Sequence, residues 1–139
     1  MNNEKMVEEL KRQALAVRKH AYVPYSHFAV GAAVEATSGR VFTGCNVENA
    51  SFGLTICAER SAIFQAIAAG ETELRRIAVV ADSLAPVAPC GACRQVMVEF
   101  GITEVMMYNM AGTCKKVEIA ELLPYAFGPG QMKGAAEIE

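Results

Sequence analysis

Three cysteines and one glutamate carry the chemistry this sequence offers. Cys90 and Cys93 stand three apart in "PCGACRQV", and Cys57 opens "CAERSA" with Glu59 two residues further on. A Cys-x-x-Cys by itself admits three uses: a redox disulfide, half of a structural zinc knot, or part of a catalytic metal site. A structural knot closes its tetrahedron with four protein ligands. Here there is no second Cys-x-x-Cys, and neither His20 nor His27 lies at ligand spacing from these cysteines. Three thiolates are soft ligands that bind Zn²⁺ strongly, and a fourth position left to water is the catalytic arrangement. Such a metal lowers the pKa of its water to roughly 7. Glu59, so near Cys57, is placed to exchange a proton with that water. Cys45 and Cys114 read as structural: Cys45 by strand alternation faces with Val41, Thr43 and Val47, and Cys114 follows a polar turn.

These residues work only if the chain brings them together. Residues 4–21 space Met6, Leu10, Ala14, Val17 and Ala21 along one helical face, and Pro24 ends that pattern. "FAVGAAVEA" and "RVFTGCNVE" read as strands joined at "TSGR". Residues 57–69 predict a helix that stops at Gly70, and "RIAVVAD" a buried strand. A second central helix is expected over 90–100, then a strand at "EVMMYNM" and an edge strand at "CKKVEI". A last short helix is expected in "AELLPYAF", and residues from about 128 to 139 read as a loosely ordered tail. The order predicts an α/β fold in one domain: a single mixed five-stranded sheet with helices on both faces. Cys57 and Cys90 then fall at the starts of two neighbouring helices, where free N–H groups and the helix dipole favour thiolates.

The totals exclude other classes. At 139 residues, 53% hydrophobic and 20% charged, the chain is expected to fold around a core. A net charge of −2 argues against a nucleic-acid partner, and the pairs Lys11-Arg12, Arg18-Lys19, Arg75-Arg76 and Lys115-Lys116 read as solvated faces. No apolar run approaches a membrane span, and "MNNEKMVEELKRQ" is too charged for a secretion signal, so a cytoplasmic location is expected. Thiols stay reduced there, and five cysteines cannot make a complete disulfide set.

"CAE" at 57–59 followed by "PCGAC" at 89–93 resembles the signature of zinc deaminases in which a third cysteine replaces the histidine and the glutamate is not a ligand. Over nearly its whole length the chain also resembles the short cytidine deaminases, through "YVPYSHFAVGAA", "GCNVENASFGLTICAERSAI" and "PCGACRQV". The resemblance implies hydrolysis of cytidine and deoxycytidine to uridine and deoxyuridine, with one zinc per subunit in a homotetramer. By the same resemblance Cys57, Cys90 and Cys93 hold the zinc and Glu59 shuttles protons. Asn46 and Glu48 bind the sugar, Phe28 packs on the pyrimidine, and Ala58 offers backbone hydrogen bonds to the base. Phe127 matches an aromatic that reaches a neighbouring subunit's site. Arg60 and Arg94 follow zinc ligands directly, and a cation there offsets the surplus charge of three thiolates on one dication; each also reads as a surface charge. Taken alone, Phe28 suits a core as well as a base platform, and Asn46 with Glu48 suits a solvated strand end. Many relatives have tyrosine at the position of Phe52, so a hydroxyl contact is lost there. The remaining alternatives are a deaminase of another small aminated substrate, a polynucleotide deaminase, and a zinc or thiol-redox module without hydrolytic activity.

Overall fold

The computed structural model describes residues 2–132. Helix α1 (Asn3–Arg18) precedes strands β1 (Val30–Ala36) and β2 (Val41–Cys45). A short 3-10 turn, Phe52–Leu54, leads to α2 (Ala58–Ala68), β3 (Leu74–Ala81), α3 (Gly91–Glu99), β4 (Glu104–Asn109), β5 (Cys114–Glu118) and α4 (Ile119–Leu122). The strands form one sheet in the order β2-β1-β3-β4-β5. Only β3 and β4 run parallel, and α3 is the crossover between them; all other neighbours are antiparallel. The expected mixed five-stranded sheet is therefore present.

Strand alternation divides the core into two layers. Ala32, Val34, Ile77, Val79, Val105 and Met107 face one way, against Ala62, Ile63 and Ala66 of α2 and Cys93 and Met97 of α3. Ala33, Ala78, Val80, Met106 and Tyr108 face the other way, against Met6, Leu10 and Ala14 of α1. Helices thus cover both faces, and β3 is buried on each, as its continuous apolar run requires. The helical face expected from Met6, Leu10 and Ala14 is buried, but α1 ends at Arg18, short of Ala21. Asn2 caps its start by accepting from the Lys5 amide at 2.9 Å.

One pair of adjacent arginines departs from expectation. Arg76 is 4% exposed, and its Nε donates to Glu35 at 2.7 Å across the β1–β3 register. Its Nη1 donates to Asn3 Oδ1 at 2.7 Å, tying the first turn of α1 to the sheet. The pleat sends Arg75 outward and Arg76 inward, so only half of that pair is solvated.

Helix α2 sits very close to β2, which sets the position of everything at its start. A Cβ on Gly44 would lie 2.3 Å from the Ala62 amide nitrogen and 2.7 Å from the Ser61 backbone. Gly44→Ala is therefore expected to destabilise the fold by about 1–3 kcal/mol through forced separation of strand and helix. Urea unfolding measures this, and an unchanged midpoint would show that α2 does not lie so close. Residues 129–132 are helical, with the Gln131 amide bonded to the Gly128 carbonyl at 3.1 Å. The rest of the expected loose tail, 133–139, lies outside the described residues.

Candidate metal centre

Cys57 and Cys90 occupy equivalent places: each is the N-cap residue of its helix, α2 and α3, in extended backbone geometry. Neither side chain makes a capping hydrogen bond, so both sulfurs are free to turn toward a common point. Cys93, in the first turn of α3, is 0% exposed and adds a third sulfur from beneath. The three sulfurs lie within 4.8 Å of one another, with Cys57 and Cys90 at 3.8 Å and Cys90 and Cys93 at 3.5 Å. Ligands at the Zn–S distance of 2.3 Å on tetrahedral corners stand about 3.8 Å apart. The donor set and its spacing fit zinc. Among the described residues the cluster contains no fourth protein ligand, and Glu59 is not a member of it.

The surroundings favour negative charge at this point. The Cys57 thiol is lowered to about 5 by its hydrogen bond with Cys93, aided by Arg60 and Cys90 and opposed by burial. Arg60 Nη2 donates to Cys57 Sγ at 3.2 Å, and that bond raises the arginine's own pKa. Cys93 moves upward, because its hydrogen bond to Cys57 and its burial keep the proton on its own sulfur. The two thiols shift in opposite directions, and a dication among the three sulfurs would favour thiolate at each.

Glu59, 5% exposed, follows Cys57 on the first turn of α2. Burial raises its carboxyl to about 7, and the charge on Cys57 adds to the effect. A carboxyl that gains and loses its proton near neutrality is suited to acid and base work alike.

Beside these groups lies a cavity of about 210 Å³, below the usual range for drug-sized ligands and fitting for a small one. Its wall includes Phe28, Asn46, Cys57, Ala58, Glu59 and Cys90. The structure thus gathers six of the residues singled out from the sequence. Val30, Thr55, Val79, Val87 and Ala88 also line it and were not anticipated. Val79 was visible only as part of an apolar strand, and Val87 and Ala88 only as residues just before "PCGAC".

Asn46 and Glu48 lie beyond the end of β2, and both bond the segment that leads into β1. Asn46 Oδ1 accepts from the Val30 amide at 2.9 Å while its Nδ2 donates to the Phe28 carbonyl at 2.8 Å. That pair of bonds brackets Ala29 and fixes the backbone next to Phe28, whose side chain lines the cavity. Glu48 accepts from the Tyr25 and Ser26 amides, at 3.0 and 3.1 Å, and from the Ser26 hydroxyl. The Ser26 hydroxyl contributes most to holding the Glu48 carboxyl below its ordinary pKa. Glu48 lines a second, adjoining cavity of about 400 Å³ with Tyr25, Phe52 and Thr55, and Thr55 borders both. Phe52 meets the Tyr25 ring edge-on at 5.7 Å.

Phe127 stands apart from the cavity wall, 56% exposed on the segment after α4. Arg94 makes its hydrogen bonds to the carbonyls of Pro89 and Leu122, so Arg60 is the arginine that touches a cluster sulfur.

Residues 4–109 match the family described as the cytidine and deoxycytidylate deaminase zinc-binding region. A cytidine deaminase of Sporosarcina psychrophila is 45% identical over 139 residues, spanning 99% of both chains. One from Halalkalibacterium halodurans is 51% identical over 120 residues, covering 85% of this chain and 91% of the other. The crystal structure of cytidine deaminase from Burkholderia pseudomallei superposes with a TM-score of 0.84 at 50% identity, over 91% of this chain and all of that one.

Proposed function

Because this chain belongs to the family of cytidine and deoxycytidylate deaminases, we propose that it hydrolyses cytidine and deoxycytidine to uridine and deoxyuridine, releasing ammonia. The observation that carries the reading is the placement of a buried carboxyl, Glu59, on the wall of a small cavity that Cys57 and Cys90 of the three-sulfur cluster also line. Cys57, Cys90 and Cys93 would hold Zn²⁺, one per subunit. Bound there, the metal supplies the Lewis acidity that makes a water molecule give up a proton near neutral pH.

The remaining steps belong to the protein's own groups. Glu59 accepts the proton of the attacking water and passes it to N3 of the base. Water oxygen adds to C4; Glu59 then takes the second proton from that oxygen and delivers it to the amino group as the C4–N bond breaks, so that water and cytidine yield uridine and ammonia. Phe28 offers an apolar face to the pyrimidine, and the start of α2 at Ala58 offers backbone polar groups. Asn46 and Glu48, once the sugar arrives, exchange some of their bonds to the loop for bonds to its hydroxyls; an amide and a carboxylate suit groups that donate and accept.

No helix of the described residues is long and apolar enough to cross a membrane. A cytoplasmic homotetramer agrees with the exposure of Tyr22, Phe52, Leu54 and Phe127, large apolar side chains that a second copy would cover. In that assembly Phe127 closes a neighbour's site. The function is tested by following the ultraviolet absorbance of cytidine with purified protein. Conversion is expected, lost on chelation and restored by zinc, with none on single-stranded DNA or RNA. Tight zinc binding without conversion of cytidine or deoxycytidine would overturn the reading; conversion of another aminated nucleoside in its place would redirect it.

A further inference from the structure

The three sulfurs are held in different ways. Cys93 is fixed by burial, and Cys57 by the bond from Arg60. Cys90 is exposed, so its direction depends on its own backbone. Two peptide groups flank its Cα: one is held by the first-turn bond of α3, from the backbone of residue 94, and the other by the Arg94 side chain. The Arg94 amide donates to the Cys90 carbonyl at 3.0 Å, and the Arg94 Nε donates to the Pro89 carbonyl at 2.8 Å. Together these bonds set φ and ψ of Cys90, and so the direction in which its Sγ projects.

The same guanidinium is braced at its other end. Arg94 Nη1 donates to the Leu122 carbonyl at 2.7 Å, one of the carbonyls that the end of α4 leaves without a helical partner. The α4 turn is fixed in turn by its Ile119 amide on Thr103, at 2.8 Å, and by packing of Ile119 and Leu122 against the core. The next residue, Gln95, donates from Nε2 to the Phe127 carbonyl at 2.7 Å. Consecutive side chains of α3 therefore reach the end of α4 and the segment beyond it.

We propose that Arg94 is a positioning residue for the metal, its guanidinium holding the peptide group between Pro89 and Cys90 and bracing that hold on the end of α4. It acts on a ligand's backbone, where Arg60 acts on a ligand's sulfur. The inference rests on Cys90 being a zinc ligand. A planar fork is needed to reach two carbonyls in two directions; a lysine ammonium can hold one of them firmly and not both.

The test uses zinc-loaded wild type, Arg94→Lys and Arg94→Gln, with zinc release followed in a chromogenic chelator. Arg94→Gln is expected to release zinc about 10–100-fold faster, the range seen when an outer partner of a metal ligand is removed. Arg94→Lys should fall between. Cobalt-substituted protein supplies a readout that general destabilisation would not move: the thiolate–cobalt absorption bands should shift in Arg94→Gln well below its unfolding temperature. Release at the wild-type rate overturns the proposal, as does faster release with unshifted cobalt bands, which would make Arg94 a purely structural contact. Wild type that holds no zinc after loading removes the premise itself and is told apart at the first measurement.

Discussion

Replacing Glu59 by glutamine is expected to leave the fold and the zinc in place while lowering kcat by about 10²–10⁴-fold, the usual worth of a positioned acid–base group. The amide matches the carboxyl in shape and fills the same buried space, so packing around α2 should not change. It cannot carry the proton from water to N3 or to the leaving group. Burial already raises the Glu59 carboxyl to about 7, so removing its charge relieves a cost and should not weaken folding. Since Glu59 lies outside the sulfur cluster, zinc content should remain near that of wild type. Turnover, metal analysis and circular dichroism measure the three parts separately. Turnover near the normal rate would transfer the proton shuttle to another group. Loss of zinc together with activity would make Glu59 a ligand and not a base.

The second large effect is expected from Cys90→Ala. Three sulfurs would hold the cation, and removing one should cost more affinity than the roughly 10–100-fold lost with an outer partner. Cys90 is the informative choice because it is exposed. Cys93 is fully buried between α3 and the sheet, and its loss would confound metal affinity with a cavity in the core. With Cys90→Ala the fold should persist, zinc should fall well below one per chain after dialysis, and turnover should fall with it. Stoichiometric zinc that survives dialysis against a chelator would exclude Cys90 from the ligand set.

Much of the site was legible because local signals and spacing specify it. Cys57 and Cys90 could be placed at helix starts from Gly70 and Gly101, from helix-forming composition and from the preceding proline. The meeting of those starts depended on one further guess, that the two helices lie side by side, and the common packing of α2 and α3 on one face of the sheet supplies it. Side-chain alternation placed Asn46 and Glu48 on one face of a strand, but β2 ends at Cys45, before either. It could not tell what they bond to, since their partners Phe28, Val30, Tyr25 and Ser26 are 16 to 23 positions away in the chain. Arg76 was misread for a similar reason. A pair of arginines looks solvated until the register sets one of them opposite Glu35 within the sheet. Arg94 was recognised by its place after a ligand, but its reach to Leu122 spans 28 residues, and no local pattern encodes it. What composition and period describe is each element's face; what they leave out is the polar bond between elements.

The two N-cap cysteines, 33 positions apart, also impose an order on biosynthesis. At ribosomal rates of about 5–20 residues per second, roughly 2–7 s separate the appearance of Cys57 and its neighbouring acid from that of Cys90. During that interval the nascent polypeptide holds Glu59 but only one of the three clustered sulfurs. The last two sulfurs of the cluster therefore arrive together, on the first turn of α3.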